Sequence, residues 1–401
     1  MRKIYRYGFD APYRLDPTPL YGMLRSEEPV ARVTPPYGEE AWLVTRHESV
    51  KTVMKDPRFS RAAVVASGER TPRVTEFVPP ANPISATDPP EHTRLRKLIS
   101  GVLTRLAVEQ RRPRAQQIAG ELIDEMIAIG PPLDVISAFA VPFQTLIMGE
   151  IFGVPQSDRL QFREWTIPVV SQWSCTKQQV DAAYARMREY LGSLIARKRE
   201  QPGDDLMSTL VLSHVDQQQI TESEVINLAI SLLVNDSVVN QLGSSLYLLL
   251  THPDQLGWLR ANMPQVPEAV EELLRFAPLT ADIPIGGQGH VRMAMEDIEL
   301  DGVHIRAGEF VMPSINSANR DERVFVDPHK LDLTRTSNPH IAFGIGPHHC
   351  LGEKLGRMEM QVAVDSLLTR FPNLALAVSV DEVPWKIGMS SRGPAALPVT
   401  W

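Results

Sequence analysis

The chain has 401 residues, of which 43% are apolar, 22% charged and 6% aromatic, a composition typical of a globular protein with a large core. It excludes wholesale disorder and collagen, and the two cysteines, Cys175 and Cys350, are too few for a disulfide scaffold. A net charge of -7 without any Lys/Arg block disfavours a nucleic-acid partner. The N-terminus lacks an apolar run, so we expect neither a signal peptide nor a membrane anchor, and a reducing, cytoplasmic location.

In chain order, the first predicted elements are short strands in a β-rich N-terminal part of about residues 1–60. A Pro/Ser/Thr-rich stretch over roughly 61–90 is predicted to be a long loop. Apolar residues at helical spacing dominate the remainder, with short strands at 298–305 and 374–380. The sequence therefore predicts a mainly α chain with small β-sheets, forming a single domain over 1–401.

The longest apolar stretch runs from Val225 to Leu250 and is predicted to be a long helix that crosses the protein core. Polar residues, Asp236 among them, interrupt the stretch, so we do not expect it to span a membrane. A carboxylate in the middle of a buried helix is costly to desolvate, so its presence calls for an explanation. One explanation is a role in proton transfer. The alternative is that neighbouring backbone groups satisfy the hydrogen bonds of the aspartate, which then carries no protons.

Two further polar pairs lie on predicted helices. Glu272 and Arg275 are three residues apart in the helix from Pro267 to Phe276, and His92 and Arg96 are four residues apart. Either spacing places both side chains on one helical face. Taken alone, such pairs are most often solvated surface pairs worth roughly a few tenths of a kcal/mol.

The most informative segment is Phe343–Gly352, which reads Phe-Gly-Ile-Gly-Pro-His-His-Cys-Leu-Gly and precedes a predicted helix. Its glycines permit close approach to a bulky group, and a cysteine near a helix N-terminus favours the thiolate. A phosphate-binding Gly-x-Gly-x-x-Gly loop is excluded because His349 occupies the third glycine position. A zinc site from His348, His349 and Cys350 is excluded because adjacent side chains cannot converge on one ion. A metal–thiolate site and an inert cysteine in a turn remain.

This segment resembles the haem-ligand signature of the cytochrome P450 family, Phe-Gly-x-Gly-x-His/Arg-x-Cys-x-Gly, and matches it at every fixed position. The chain resembles the soluble bacterial members over nearly its whole length. The resemblance implies the cytochrome P450 fold, with a long central helix over the haem and the cysteine-ligand loop beneath it. It also implies a haem b cofactor, to whose iron Cys350 supplies the axial thiolate.

The resemblance also implies roles for the other polar residues near the motifs. Phe343 belongs to the haem-binding loop, and His348 would reach a haem propionate. The segment with His92 and Arg96 is similar to the family's Asp-x-Pro-x-His-x-x-x-Arg, whose basic residues donate to a propionate. Arg292 resembles the family's other propionate-binding arginine.

Glu272 and Arg275 match the family's buried Glu-x-x-Arg pair, which an arginine from the segment before the haem loop joins. Arg335 is the best match for that arginine. In the family this group holds the fold and the haem loop in register, and it is expensive to break one partner at a time.

The central helix departs from the family pattern Ala/Gly-Gly-x-Asp/Glu-Thr, in which the acid and the alcohol relay protons to bound dioxygen. The segment is two residues short between its anchors. Alignment backward from Val239 places Asp236 and Ser237 at the acid and alcohol positions, whereas alignment forward from Ile220 places Val238 and Val239 there. We prefer the first register because it gives the buried Asp236 a role.

The family implies a substrate pocket formed by the loop from Arg61 to Thr87, the region from about Gln161 to Val180, and Ile283 to Gly287. The candidate lining residues are Phe77, Val78, Leu233, Ile283 and Ile285. Packing alone is the alternative explanation for these apolar side chains.

The prediction for function is a haem-thiolate monooxygenase that oxidises a small organic substrate, a bacterial secondary metabolite, with O₂ and electrons from a ferredoxin-type donor. One alternative is oxidative C–C or C–N coupling of aromatic or cyclic-dipeptide substrates by the same haem. Another, suggested by the altered central helix, is a catalytically silent haem protein that binds or presents a ligand. We expect no nucleic-acid or membrane partner.

Overall fold

The computed structural model describes residues 3–7, 14–74, 76, 78, 84–101, 103–170, 175–215, 220–234, 236–279, 290–387, 389 and 391–401. Over these residues the chain is mainly helical with three β-sheets, which confirms the predicted fold class. By contacts they form two compact units, one from 1–95 and 274–350 and the other from 96–273 and 351–401. The assignment of one domain over 1–401 stays a prediction.

The helices in the described part of the chain are α1 (Leu20–Glu27), α2 (His47–Lys55), α3 (Ala62–Ala66), α4 (Glu91–Ser100), α5 (Arg105–Ile129), α6 (Val141–Phe152), α7 (Arg159–Val170), α8 (Lys177–Glu200), α9 (Leu206–Leu210), α10 (Glu222–Leu233), α11 (Ser237–Thr251), α12 (Pro253–Ala261), α13 (Val266–Phe276), α14 (Ile315–Ala318) and α15 (Glu353–Arg370). The strands are β1 (Ile4–Arg6), β2 (Val30–Thr34), β3 (Ala41–Val44), β4 (Phe59–Ser60), β5 (Leu133–Asp134), β6 (Arg292–Ala294), β7 (Ile298–Leu300), β8 (Val303–Ile305), β9 (Phe310–Pro313), β10 (Ala375–Leu376) and β11 (Pro398–Thr400).

The first unit is built on a six-stranded sheet in the order β1-β2-β3-β9-β6-β4. Strand β3 pairs in parallel with β9, and Leu43 and Phe310 are fully buried against the helices of this unit. The β-rich part is therefore not confined to residues 1–60, because β6 and β9 come from 292–313 and complete the same sheet. This sheet fixes where β6, which begins at Arg292, lies relative to the segment that follows β4.

The second unit is mainly helical, with β5, β10 and β11 forming a three-stranded sheet. Helix α15 packs against α5 and also against α11. Apolar residues at helical spacing form these interfaces, among them Ile118 and Leu122 of α5 and Leu355 and Val362 of α15, all of them buried.

The segment expected to be one long central helix consists of α10 and α11. A capping box of Thr221 and Glu224 starts α10, and Val234 leaves the helical conformation with ψ 72°. Helix α11 is buried from Val239 to Leu249. Among the described residues, only the stretch Glu222–Thr251 is long and apolar enough to cross a membrane, and this burial is typical of a core helix instead.

Candidate functional site

The loop from Phe343 to Cys350 is closed by its own backbone. The N–H of Cys350 donates to the carbonyl of Phe343 over 2.9 Å, and the N–H of His349 donates to that of Gly346 over 3.0 Å. Cys350 is exposed and precedes the first residue of α15 by three positions. The loop therefore presents the cysteine just ahead of a helix, as its sequence predicts.

The two glycines of this loop are required by backbone geometry. Gly344 and Gly346 have φ of 70° and 80°, in the left-handed region that favours glycine. A Cβ on Gly346 would lie 2.6 Å from the carbonyl oxygen of Met54, near the end of α2. The sequence suggested that this glycine makes room for a bulky group. In the structure, the close neighbour of Gly346 is instead the backbone of α2.

The first unit contains several buried basic groups, one of which contacts this loop. His92, on α4, is 1% exposed, and its ring centroid lies 4.2 Å from that of half-buried His348. Arg292, the first residue of β6, is 2% exposed. Its Nη1 donates to the carbonyls of His290 and Val291 over 3.0 and 3.1 Å. Among the described residues Arg292 has no carboxylate partner.

Arg61, His290 and Arg292 place buried positive charge close together, and Asp88 offsets only part of it. Burial, and then the charge of Arg61, lowers the pKa of Arg292 well below its usual range. Burial lowers the pKa of Arg61 to about 10, partly opposed by Asp88. Desolvation and the charges of both arginines lower the pKa of His290 to about 3. Such shifts mean that a bound anion would stabilise the cluster strongly.

These residues fit haem b. An exposed thiol on a rigid loop suits an axial thiolate ligand, and a buried cation without a carboxylate suits a propionate. Cys350 would hold the iron, while His92, His348 and Arg292 would hold the propionates. The described residues contain no group of three or more His, Cys, Asp or Glu side chains that could hold a metal ion by themselves.

Arg96 lies on α4, one helical turn after His92, and is half-buried. The predicted propionate role of Arg96 stays a prediction, as do the roles assigned to Phe343, His348, His92 and Arg292.

The residues of the predicted ion-pair group lie on α13 and in the segment that follows β9, and their pairing stays a prediction. Glu272 and Arg275 are 1% and 2% exposed, so neither is a solvated surface residue. Arg275 donates through Nη1 to the carbonyls of Asn319 and Pro328, each over 2.9 Å. Half-buried Arg335 donates to the carbonyl of Val326 over 2.8 Å. Arg275 and Arg335 thus hold the same short segment before the haem loop.

The second unit contains the predicted acid and alcohol at the junction of α10 and α11. Asp236 is 8% exposed and directly precedes Ser237, the first residue of α11, but its side chain does not cap the helix. Its carboxylate oxygens lie 3.6 Å from Arg163 Nη1 and 3.6 Å from Lys386 Nζ. Lys386 also donates to Asn240 Oδ1 over 2.7 Å. Burial, opposed by Asp236, lowers the pKa of Lys386.

Helix α11 runs without interruption through Gly243, where a Cβ would lie 2.6 Å from Ile136 Cδ1. The assignment of Asp236 and Ser237 to the acid and alcohol positions stays a prediction.

The predicted substrate-pocket residues are only partly described. Phe77, Ile283 and Ile285 lie outside the described residues, and Val78 is half-buried. Leu233 lines a pocket that is open to solvent and also reaches Asp236.

Sequence reasoning missed Arg61, His290, Arg163 and Lys386. Arg61 lies far from His290 and Arg292 in the chain and meets them only through the sheet. Lys386 is 150 positions after Asp236, so no spacing pattern connects them. Only their charge in otherwise apolar surroundings could have drawn attention to them.

A family model described as Cytochrome P450 matches residues 258–383. The Nocardicin C N-oxygenase of Nocardia uniformis subsp. tsuyamanensis is 48% identical over 397 residues, 98% of this chain and 98% of the relative. The chain belongs to the cytochrome P450 family. The solved structure of HinD with NMFT and NO has a TM-score of 0.93 and 42% identity, and 100% of each chain is covered. That of cytochrome P450mel 107F1, described with biaryl coupling reactivity, has a TM-score of 0.92, 40% identity and the same coverage.

This cytochrome P450 is therefore a haem b monooxygenase that oxidises a small organic substrate, and the predicted family, enzyme class and cofactor are confirmed. It takes electrons from a redox partner. The relatives are soluble bacterial proteins, which implies that this protein is soluble as well.

Proposed function

We propose that this cytochrome P450 inserts one oxygen atom from O₂ into a bacterial secondary metabolite, in the cytoplasm, with electrons from a ferredoxin. The observation that carries the proposal is the exposed thiol of Cys350 in the same unit as the buried cation of Arg292, which forms no ion pair with a carboxylate of the described residues. The identity to an N-oxygenase of nocardicin C favours a substrate with an oxidisable nitrogen or a nearby C–H bond.

Haem bound at this site supplies the reduction and activation of dioxygen. Cys350 would hold the iron through its thiolate, and the loop hydrogen bond to Phe343 keeps the cysteine backbone in place. Arg292 and His92 would neutralise the propionates, which would offset the electrostatic cost of burying these cations. Arg96 and His348 would also donate to a propionate.

Asp236 and Ser237 serve as the acid and the alcohol of proton transfer. Ser237 follows Asp236 directly at the start of α11, so a proton can pass from the carboxyl group toward the hydroxyl through at most a short relay. Arg163 and Lys386 keep the carboxylate in position from two sides at 3.6 Å. Lys386 and Arg163 are positioning residues here, because they act through Asp236.

Reconstitution tests this function. The holoprotein is screened against a library of secondary metabolites for a substrate-induced spectral shift, and the responding compound is turned over with NADPH, a surrogate ferredoxin and its reductase. We expect a product one oxygen atom heavier than the substrate, with that atom coming from labelled O₂. Asp236→Asn should slow product formation by roughly 10²- to 10⁴-fold at unchanged haem content. Haem loss in Asp236→Asn, or an unchanged rate, contradicts the assigned role.

A second candidate function is oxidative coupling of aromatic or cyclic-dipeptide substrates. It is favoured by the solved relative described with biaryl coupling reactivity, which is 40% identical over the full length. Product mass separates the two reactions, because coupling removes hydrogen atoms and adds no oxygen. A compound that binds to the haem protein but yields no product under any redox partner would favour the silent, ligand-presenting alternative.

A further inference from the structure

We propose that Arg61 positions two of the groups that hold the haem propionates, His92 and Arg292, relative to each other. The proposal rests on the propionate role proposed for these two residues and adds the residue that sets their geometry. Arg61 directly follows β4 and is 2% exposed. It acts through the backbone that carries His92 and Arg292, so it is a positioning residue.

The side chain of Arg61 joins the loop before α4 to strand β6. Its Nη1 donates to the carbonyl of Val291 over 2.7 Å, and its Nε donates to the carbonyl of Ser85 over 2.8 Å. Val291 directly precedes Arg292, whose own Nη1 donates to the same carbonyl over 3.1 Å. The two arginines therefore share one buried acceptor, and the place of Arg292 depends on where Arg61 holds that carbonyl.

The backbone of Arg61 is joined to the start of α4 through Asp88. The carboxylate of Asp88 accepts from the N–H of Arg61 over 2.9 Å and also from the hydroxyl of Ser60. The carbonyl of Asp88 accepts from the N–H of His92 over 3.0 Å. These bonds form a continuous path from His92 to Arg292 that passes through both the backbone and the side chain of Arg61.

An arginine at this place is costly, which argues for a specific role. Burial lowers the pKa of Arg61 to about 10. Burial, and then the charge of Arg61, lowers the pKa of Arg292. A neutral amide could donate to the same carbonyls without this repulsion. The arrangement becomes favourable when an anion binds at Arg292, because the anion stabilises both cations.

The rate of haem dissociation tests this role without turnover. Holoprotein of the parent, of Arg61→Met and of Arg61→Lys is mixed with excess apomyoglobin, and the transfer of haem is followed. We expect Arg61→Met to release haem roughly 10- to 100-fold faster, the usual effect of removing a group that orients a ligand of a metal site. Arg61→Lys keeps the charge but lacks the planar fork, so it should restore only part of the parental retention.

Arg73→Met is the matched control. Arg73 lies in the same loop, is 4% exposed and also donates to backbone carbonyls, those of Glu69 and Glu76. We expect it to release haem at the parental rate. The propionate bending band of the resonance Raman spectrum gives a second readout, because it responds to the donors at the propionates and not to stability. Arg61→Lys should shift this band, and Arg73→Met should leave it unchanged.

Combination with Arg292→Met separates positioning from general destabilisation. If Arg61 acts through Arg292, Arg61→Lys should add little to the faster release of Arg292→Met. Additive effects in the double variant, a parental release rate in Arg61→Lys, or an unshifted propionate band would each overturn the positioning role. Where Arg61→Met yields no holoprotein, the Arg61→Lys comparison decides. If Arg292→Met alone releases haem at the parental rate, the proposed propionate role fails instead.

Discussion

Glu359 of α15 should make the protein less stable as pH rises toward 8. The side chain is 1% exposed, and its Oε1 has no hydrogen-bond partner within the described part of the chain. Its helical neighbours one turn away, Leu355 and Ala363, are apolar. Burial raises the pKa of Glu359 to about 8 from an ordinary 4.5. The carboxyl group is therefore protonated in the folded protein at neutral pH.

The sign of the pH dependence follows from proton linkage. Between pH 4.5 and pH 8 the folded protein holds a proton on Glu359 that the unfolded chain releases, so rising pH favours unfolding. The free energy of unfolding falls by about 1.4 kcal/mol per pH unit in this range. The accumulated loss reaches about 3 kcal/mol at pH 7 and about 5 kcal/mol at pH 8 as upper bounds. Below pH 4.5 Glu359 is protonated in both the folded and the unfolded state, so it no longer changes the free energy of unfolding with pH.

Glu359→Gln keeps the size of the side chain and cannot ionise. We expect the variant and the parent to have similar stability at pH 5 and the variant to be increasingly more stable toward pH 8, as measured by urea unfolding of the holoproteins. Glu125→Gln, at an exposed position of α5, is the control and should show no such widening. A stability difference between Glu359→Gln and parent that stays constant from pH 5 to pH 8 would refute the reasoning.

Three further substitutions test the haem loop and its support. Cys350→Ser should lose the thiolate-type band of the reduced carbon monoxide difference spectrum, because an alcohol is a far weaker ligand than a thiolate; a parental band would remove Cys350 from its role. Gly346→Ala should lower haem occupancy, because Gly346 has a φ of 80° and a Cβ there would lie 2.6 Å from the carbonyl oxygen of Met54. Full haem content at the parental melting temperature would contradict this expectation. Arg275→Ala should lower the free energy of unfolding by about 3 kcal/mol or more, because the buried carbonyls of Asn319 and Pro328 lose their hydrogen-bond donor. A soluble variant with the parental unfolding midpoint would show that these bonds are dispensable.

The sequence by itself determined the cysteine loop. Phe343, Cys350 and the two glycines occur within ten residues, so their spacing alone reports the local geometry. The helical character of most of the chain and the pair on α13 were also predictable, because 3.6-residue periodicity is a local property.

The tertiary structure alone decided which charges meet. Arg61 and Arg292 come together because β4 pairs with β6 in one sheet, although more than 200 residues separate them. Lys386 reaches Asp236 from the C-terminal segment in the same way, and Arg163 reaches it from α7. The break of the central helix at Val234 is likewise visible only in the structure, because the apolar periodicity of the sequence continues across the junction. Contacts between distant segments depend on packing of whole elements, and no local pattern in the sequence encodes which of them become neighbours.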